Sequence, residues 1–464
     1  MPFVATLVAA VLAPVWMAAA GPLGPYAVID LGTLGGAESG ANGVNLRGQV
    51  VGWAHDAEGH KQAFVWNKGR MDGLGFLLGG TQSVANAIND SGQITGYSYV
   101  SAANYHAFLH ENGTMRDIAP TNGVGTSEGR AINASGAIVG SYKTQYTHNN
   151  GFCLRPDGLF IDIACSGSAS GTHAADGCDG YGINDAGLVC GSTFHYEPNP
   201  RWWGYVWFDV NGDGLMDRTL TEGHDELHLF GALAPYASNR DHSIAYDVNR
   251  HEQAVGVSRS CADVNCTPHA FLLCSSNGVW KDPLEGNLNP TNALMHDLGA
   301  LDSFTNASSA NAINDRSRVV GYSATASGTN HAVLWVDETL HDLNNLIPTD
   351  SGWILTNATA INEYDEIVGS GLHNGTNRAF FLQRKASFMT MAVSNRSVTL
   401  GWGGSANGAT FVLETCTNLY PSNDWTVVEP TTTWPAATNE WVVPEGATDP
   451  MRFYRLQVVQ PSED

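Results

Sequence analysis

Two stretches of the chain hold residue types and spacings that could do chemistry. Asp209-Val210-Asn211-Gly212-Asp213-Gly214-Leu215-Met216-Asp217 has the Asp-x-Asn-x-Asp-Gly start of a calcium loop. Calcium needs several hard oxygens converging on one point, and Gly214 permits the bend. Asp209, Asn211, Asp213 and Asp217 would give side-chain oxygens and Leu215 its carbonyl. Leu220 stands where an EF-hand carries its bidentate Glu, and Tyr205 to Trp207 before the loop reads as a strand. The expectation is a calcium-stapled hairpin turn with a structural role. The second stretch runs in two pieces, His195 to Trp203 and Glu222 to His228. Trp202 and Trp203 offer indole faces to the apolar side of a pyranose, while His224, Asp225, Glu226 and His228 could take hydroxyls or hold a metal. There is no His-Glu-x-x-His, no phosphate loop and no dinucleotide fingerprint. A non-catalytic binding or surface-associated module, with glycan as the ligand, is therefore expected. The alternative is a glycan-active hydrolase or lyase with paired carboxylates on the same face.

What must position these residues is a repeat. Apolar-Asn-x-x-Gly-x-apolar, followed by Gly, recurs around Asn45, Asn89, Asn133, Asn184, Asn249, Asn314 and Asn362, the first two intervals being 44 residues. A period of this size means one supersecondary unit per copy, unable to bury its apolar face alone. In the second copy Ala85 to Asn89 alternates as a strand, Asp90-Ser91-Gly92 turns, and Gln93 to Tyr97 returns. His106 to His110 reads as a third strand, Glu111-Asn112-Gly113 as a turn, and Thr114 to Ile118 as a fourth. Four short antiparallel strands make one propeller blade, so the chain predicts an all-β, seven-bladed β-propeller.

A third-strand signature recurs as Gln62-Ala63-Phe64, His106-Ala107-Phe108, Gly151-Phe152, Gly204-Tyr205, His269-Ala270-Phe271, His331-Ala332-Val333 and Arg378-Ala379-Phe380. The fourth-strand signature, Asp-Leu in its clearest form, occurs first at Tyr26 to Leu31, before any Asn motif, and is missing after Phe381. Closing the ring with Tyr26 to Leu31 as the last blade's outer strand is the preferred order and removes exposed sheet edges, the alternative phase being one that starts each blade at the Asp-Leu strand and needs no exchange. The Ala-rich first strands then lie at the crowded axis. His106, His269 and His331 sit at equivalent positions and cannot meet, so each is expected to bond a neighbouring turn; the motif asparagines are expected to bond their own turns. The loops joining second to third and fourth to first strands share one face, which would carry the Trp-, His- and acid-rich segments.

The combination of Ile-Asn-x-x-Gly, His-Ala-Phe and Asp30 to Gly36 (Asp-Leu-Gly-Thr-Leu-Gly-Gly) resembles the HAF-repeat family of bacterial extracellular proteins over Tyr26 to Leu382. The resemblance implies export and propeller-like repeats and carries no defined activity. The fourth and fifth repeats depart from it by long insertions. Residues 1–20 are apolar and end Met17-Ala18-Ala19-Ala20, the pattern of a cleaved signal peptide, which places the mature protein outside the cell, in a periplasm or at a cell surface. Residues 21–382 form the propeller, 383–387 a polar linker, and 388–464 a small β-sandwich resembling fibronectin type III-like modules. The formal net charge of −23 excludes nucleic acid and anionic membranes as partners. No segment after the signal is apolar enough to span a bilayer, and a monomer is expected. Eight cysteines suit an exported chain; Cys261 and Cys266 flank a short loop, and Cys153, Cys165, Cys178 and Cys190 allow three pairings.

Overall fold

A computed structural model describes residues 25–384 apart from 121–124, 144–148, 164–176, 196–200, 210–226, 231, 234–241, 260–266, 276–293, 303–305 and 338. Beyond these it describes the strand backbones of 387–394, 397–403, 410–416, 426–427, 440–442 and 453–459. The signal segment 1–20 lies outside the described residues.

The chain divides into two compact units at Lys385 and Ala386. The first unit holds seven four-stranded antiparallel sheets. Blade 1 runs from Gly35–Val44 to Arg70–Gly75, blade 2 from Ser83–Ile88 to Thr114–Asp117, and blade 3 from Ser127–Ile132 to Phe160–Ile163. Blade 4 runs from Gly177–Ile183 to Leu227–Phe230, blade 5 from Ser243–Val248 to Met295–Asp297, and blade 6 from Ser308–Ile313 to Thr339–Asp342. Blade 7 takes three strands, Trp353–Ile361, Ile367–His373 and Thr376–Arg384, from the end of the ring and Tyr26–Asp30 from its beginning, with Ala27 opposite Gln383 and Ile29 opposite Phe381. The first strands of successive blades touch one another around the axis, the last meeting the first. The blades thus form a closed ring, in the strand phase that uses the lone first Asp-Leu segment to complete the last blade. The second unit contains two three-stranded sheets. Among the described residues no helix is long and apolar enough to cross a membrane.

Two side-chain devices tie neighbouring blades, and a third ties strands within a blade. The motif asparagines are buried, and each Oδ1 accepts backbone N–H groups of its own turn, as Asn89 does from Ser91 and Gln93. Each Nδ2 also donates across the interface to the main-chain carbonyl of the next blade's motif asparagine. The seven bonds, 2.9 to 3.1 Å long, run from Asn45 to Asn89, Asn133, Asn184, Asn249, Asn314 and Asn362 and back to Asn45. The own-turn bonds meet the sequence expectation; the closed circle between blades does not follow from any local motif. Six residues before the asparagine, a serine reaches back to the preceding blade. Ser83 Oγ accepts from Ala63 N and donates to Gly75 O, and Ser39 and Ser308 do the same. Thirdly, the third-strand signature and the fourth-strand aspartate prove to be partners. His106, His269 and His331 place Nδ1 2.7 to 2.9 Å from Asp117, Asp297 and Asp342. In blade 3 Asn150 Nδ2 donates to Asp162, and in blade 7 His373 takes Asp30 across the closure. The partner is thus an outer-strand carboxylate rather than a turn.

The signature phenylalanines Phe64, Phe108, Phe152, Phe271 and Phe380 are fully buried between sheets. Burial of each is worth about 1.5–3 kcal/mol. The disulfide expectation is corrected for the described cysteines: Cys153, Cys178, Cys190 and Cys274 are free thiols. Cys153 and Cys190 point into the interblade core, where burial pushes both thiols up, Cys153 to about 12. Cys178 occupies the serine position of blade 4, and its Sγ donates to Ile163 O. Cys165, Cys261 and Cys266 lie outside the described residues.

Candidate functional site

The first strand of every blade contains a β-bulge three residues before the motif asparagine, where the register slips past Asn42, Asn86, Arg130, Tyr181, Tyr246, Asn311 and Thr359. A bulged residue has no ladder partner and is re-aimed, here at the axis and the next blade. In four blades it is one more tie between sheets. Asn42 donates to Ala85 O, Asn86 to Gly129 O, Asn311 to Ala358 O and Thr359 to Ala41 O, at 2.8 to 2.9 Å. Blades 3, 4 and 5 break this rule with Arg130, Tyr181 and Tyr246. The Arg130 guanidinium lies 4.3 Å over the Tyr181 ring, and Tyr181 meets Tyr246 edge to face at 5.3 Å. Two residues further up the strand, blades 3 and 4 alone place carboxylates, Glu128 and Asp179, where the others have Gly40, Val84, Ile244, Ser309 and Asn357.

Arg130 lies between the two acids, Nε 3.6 Å from Glu128 and Nη2 3.4 Å from Asp179. Burial works against its charge, but Glu128, Tyr181 and Asp179 outweigh burial and hold the guanidinium above its ordinary pKa. Asn86 Nδ2 donates to Glu128 at 3.0 Å and Asn149 Nδ2 reaches Asp179 at 3.3 Å. The acids therefore stand as fixed acceptors. Beside Glu128, at the loop ends of blade 2, Tyr97, Tyr99 and Tyr105 pack with ring centres 5.1 to 6.3 Å apart. Burial and then Glu128 push the Tyr97 hydroxyl up to about 12, and the same two causes raise Tyr105. Burial raises Tyr246 to about 12. These hydroxyls stay protonated and donate hydrogen bonds at neutral pH. The side chains of Arg130, Glu128 and Asp179 remain 20%, 24% and 11% exposed, so a ligand entering from the loop face can reach them. Permanent donors, fixed acceptors and aromatic rings within one cluster suit a polyhydroxylated ligand.

The residues expected from sequence are placed differently. Trp202 and Trp203 begin the third strand of blade 4, opposite Phe194 and Thr193. Trp202 packs 4.7 Å from Phe194 and 6.3 Å from His242, whose pKa burial and then Arg259 depress. His228 is on the outer strand of the same blade opposite Val206, four residues along from Trp202. At about 3.3 Å per residue the two are roughly 13 Å apart along the sheet. The structure thus keeps Trp202 and His228 at different ends of the blade. His224, Asp225 and Glu226 lie outside the described residues, as do Asn211, Asp213, Leu215 and Asp217 of the calcium-type loop. Its first residue, Asp209, is partly buried with Oδ2 3.9 Å from Arg155. Among the described residues, the acidic groups close enough to share a cation are Asp56, Glu58 and His60 on an exposed turn of blade 1.

No family model and no curated protein sequence matches this chain. Among solved structures, it is similar to a gluconolactonase from Xanthomonas campestris, with 11% identity over 78% of this chain and 90% of that one and a TM-score of 0.35. It is similar to the β-propeller domain of the trilobed protease from Pyrococcus furiosus, at 8% identity, 74% and 95% coverage and a TM-score of 0.40. It is also similar to a lectin from Burkholderia pseudomallei, at 10% identity, 80% and 97% coverage and a TM-score of 0.32. Similarity this low transfers neither ligand nor activity.

Proposed function

We propose that this propeller is an exported, non-catalytic binding module that takes a neutral glycan at the axial mouth of its loop face. The observation that carries the reading is internal to the chain. One strand recurs seven times within the molecule, and blades 3 and 4 exchange the Asn or Thr of the bulge for Arg130 and Tyr181 and set carboxylates, Glu128 and Asp179, two residues before it. The tie between these two blades then runs through the Arg130–Asp179 ion pair and the Arg130–Tyr181 contact, which puts charge and aromatic surface at the axial mouth where other blades carry an amide or hydroxyl. Tyr97, Tyr99 and Tyr105 add stacking area beside it. Export rests on the segment 1–20 and on the likeness of the sequence to HAF-type repeats. A calcium ion at Asp209, Asn211, Asp213, Leu215 and Asp217 is part of the same proposal, on loop spacing alone, and would order its own turn.

The test is a glycan array with the wild type, Arg130→Gln and Tyr99→Ala, followed by product analysis on every hit. Saturable retention of a neutral oligosaccharide, weakened at least tenfold in both variants and leaving the sugar intact, is expected. No retention by the wild type would overturn the reading. Release of shortened or unsaturated sugar would replace it with the hydrolase or lyase alternative.

A further inference from the structure

A second recess lies on the opposite, turn-bearing face. Residues of blades 2 and 3 line a cleft of 540 Å³ there, a volume that suits a small organic ligand. Its apolar wall is Ile118, Ile138, Leu154 and Phe160. Phe160 is held in place by stacking on Phe152 at 5.5 Å and by the edge of Tyr142 at 5.7 Å, so this wall is rigid. Two arginines, Arg116 and Arg155, stand at the cleft. In a chain with only 22 basic residues against 45 acidic ones, two guanidiniums lining one recess stand out. Arg116 has no ion pair or hydrogen bond among the described residues. Arg155 is held loosely, 3.5 Å from Asp157 and 3.9 Å from Asp209. Glu111 also lines the cleft, and one of its oxygens accepts from Gln93 at 3.0 Å.

We propose that this cleft binds a small organic monocarboxylate, its apolar body against Ile138, Leu154 and Phe160 and its carboxylate between Arg116 and Arg155. Guanidinium is the side chain best matched to a carboxylate, through paired N–H donors in a plane. Arg155 already faces Asp157 and Asp209, so the uncommitted charge at the cleft is the single one of Arg116, which fits a monoanion; a dianion such as phosphate would meet Glu111 with its second charge. The apolar wall adds affinity that a bare ion cannot use. Nothing here depends on the axial glycan site, which is on the other face of the ring.

Benzoate is the probe, with benzamide as its neutral isostere and inorganic phosphate as the dianion, titrated calorimetrically into the full-length protein at low salt. Benzoate is expected to bind saturably, at least fivefold more tightly than either comparator, and to lose at least fivefold in Arg116→Gln. Arg116 is exposed, so that variant should fold; the circular dichroism spectrum and the response to glycan on the other face check this. Equal binding of benzoate and benzamide, equal or tighter binding of phosphate, or a benzoate affinity indifferent to Arg116→Gln would each overturn the proposal.

Discussion

The circle of asparagines makes a quantitative demand on stability. Asn89 is the representative case. Its Oδ1 accepts from Ser91 N at 3.1 Å and Gln93 N at 3.0 Å; its Nδ2 donates to Asn133 O at 3.0 Å and to Gln93 Oε1 at 2.8 Å. Alanine deletes all four. Ser91 is exposed and its N–H can rebond to water, and the Asn133 carbonyl keeps the bond it accepts from Gly136 N, so the lasting losses are the partner of the Gln93 N–H and the bond between blades. At roughly 1–3 kcal/mol for the unpaired N–H and about 0.5–1.5 kcal/mol for the lost bond between blades, Asn89→Ala should cost about 2–4 kcal/mol. Asn89→Asp separates the two roles of the side chain. The carboxylate keeps the acceptors for its own turn but has no donor, and it faces the Asn133 carbonyl oxygen. If the bond between blades matters, Asp should cost at least about 2 kcal/mol at pH 7. Urea unfolding followed by tryptophan fluorescence reads both, with midpoint and slope taken together because a ring of similar sheets can lose all-or-none behaviour. An alanine cost below about 0.5 kcal/mol, or an aspartate variant as stable as wild type, would refute the ring as a stabilising element.

Three further outcomes follow from the same geometry. Cys178→Ser should lie within about 1 kcal/mol of wild type, because serine fills that position in other blades, whereas Cys178→Val should cost about 1–3 kcal/mol by leaving the Ile163 carbonyl unpaired; thermal melts of the two separate them. Asp247 fills the small-residue position of blade 5, and burial pushes its carboxyl up to about 7 against two backbone donors. A raised acid binds its proton more tightly when folded, so its burden on stability grows as pH rises from about 4 to 7. Asp247→Asn should therefore gain on wild type across that window; a stability difference that is constant or shrinks with rising pH would contradict it. His106→Asn should keep most of the stability that His106→Ala loses, since Asn150 already serves Asp162 in blade 3, and a comparison of unfolding midpoints at pH 7 checks it.

Much of the ring was legible because each blade spells the same four strands and because closure left an unmatched piece at either end. Of the two strand phases open to the chain, the preferred one sets Tyr26 to Leu31 against Ala379 to Leu382, and it pairs there. What the chain did not disclose is tertiary in origin. The bond from one asparagine to the next blade, 44 to 65 residues away (317 across the closure), leaves no mark on local spacing. Nor does the bulge that turns the third residue before each asparagine toward the axis. Without it, Glu128, Arg130, Asp179 and Tyr181 read as polar residues within a strand. A signal was there, since the bulge position is Asn or Thr in four copies and departs from that in blades 3 to 5. Tryptophan-rich loops drew attention instead because they are locally conspicuous, yet Trp202 turned out to pack on Phe194. The cysteines misled for a related reason: Cys178 is a serine surrogate, and its place in the repeat, not the count of cysteines, explains it.

The most direct measurement is a crystal structure of the protein with the tightest oligosaccharide from the array. Sugar hydroxyls within hydrogen-bond distance of Glu128, Arg130 and Asp179, with a ring against Tyr97, Tyr99 or Tyr105, are expected. Sugar bound only at the Trp202 end of blade 4, or anywhere that leaves Arg130 untouched, would contradict the assignment of the axial mouth.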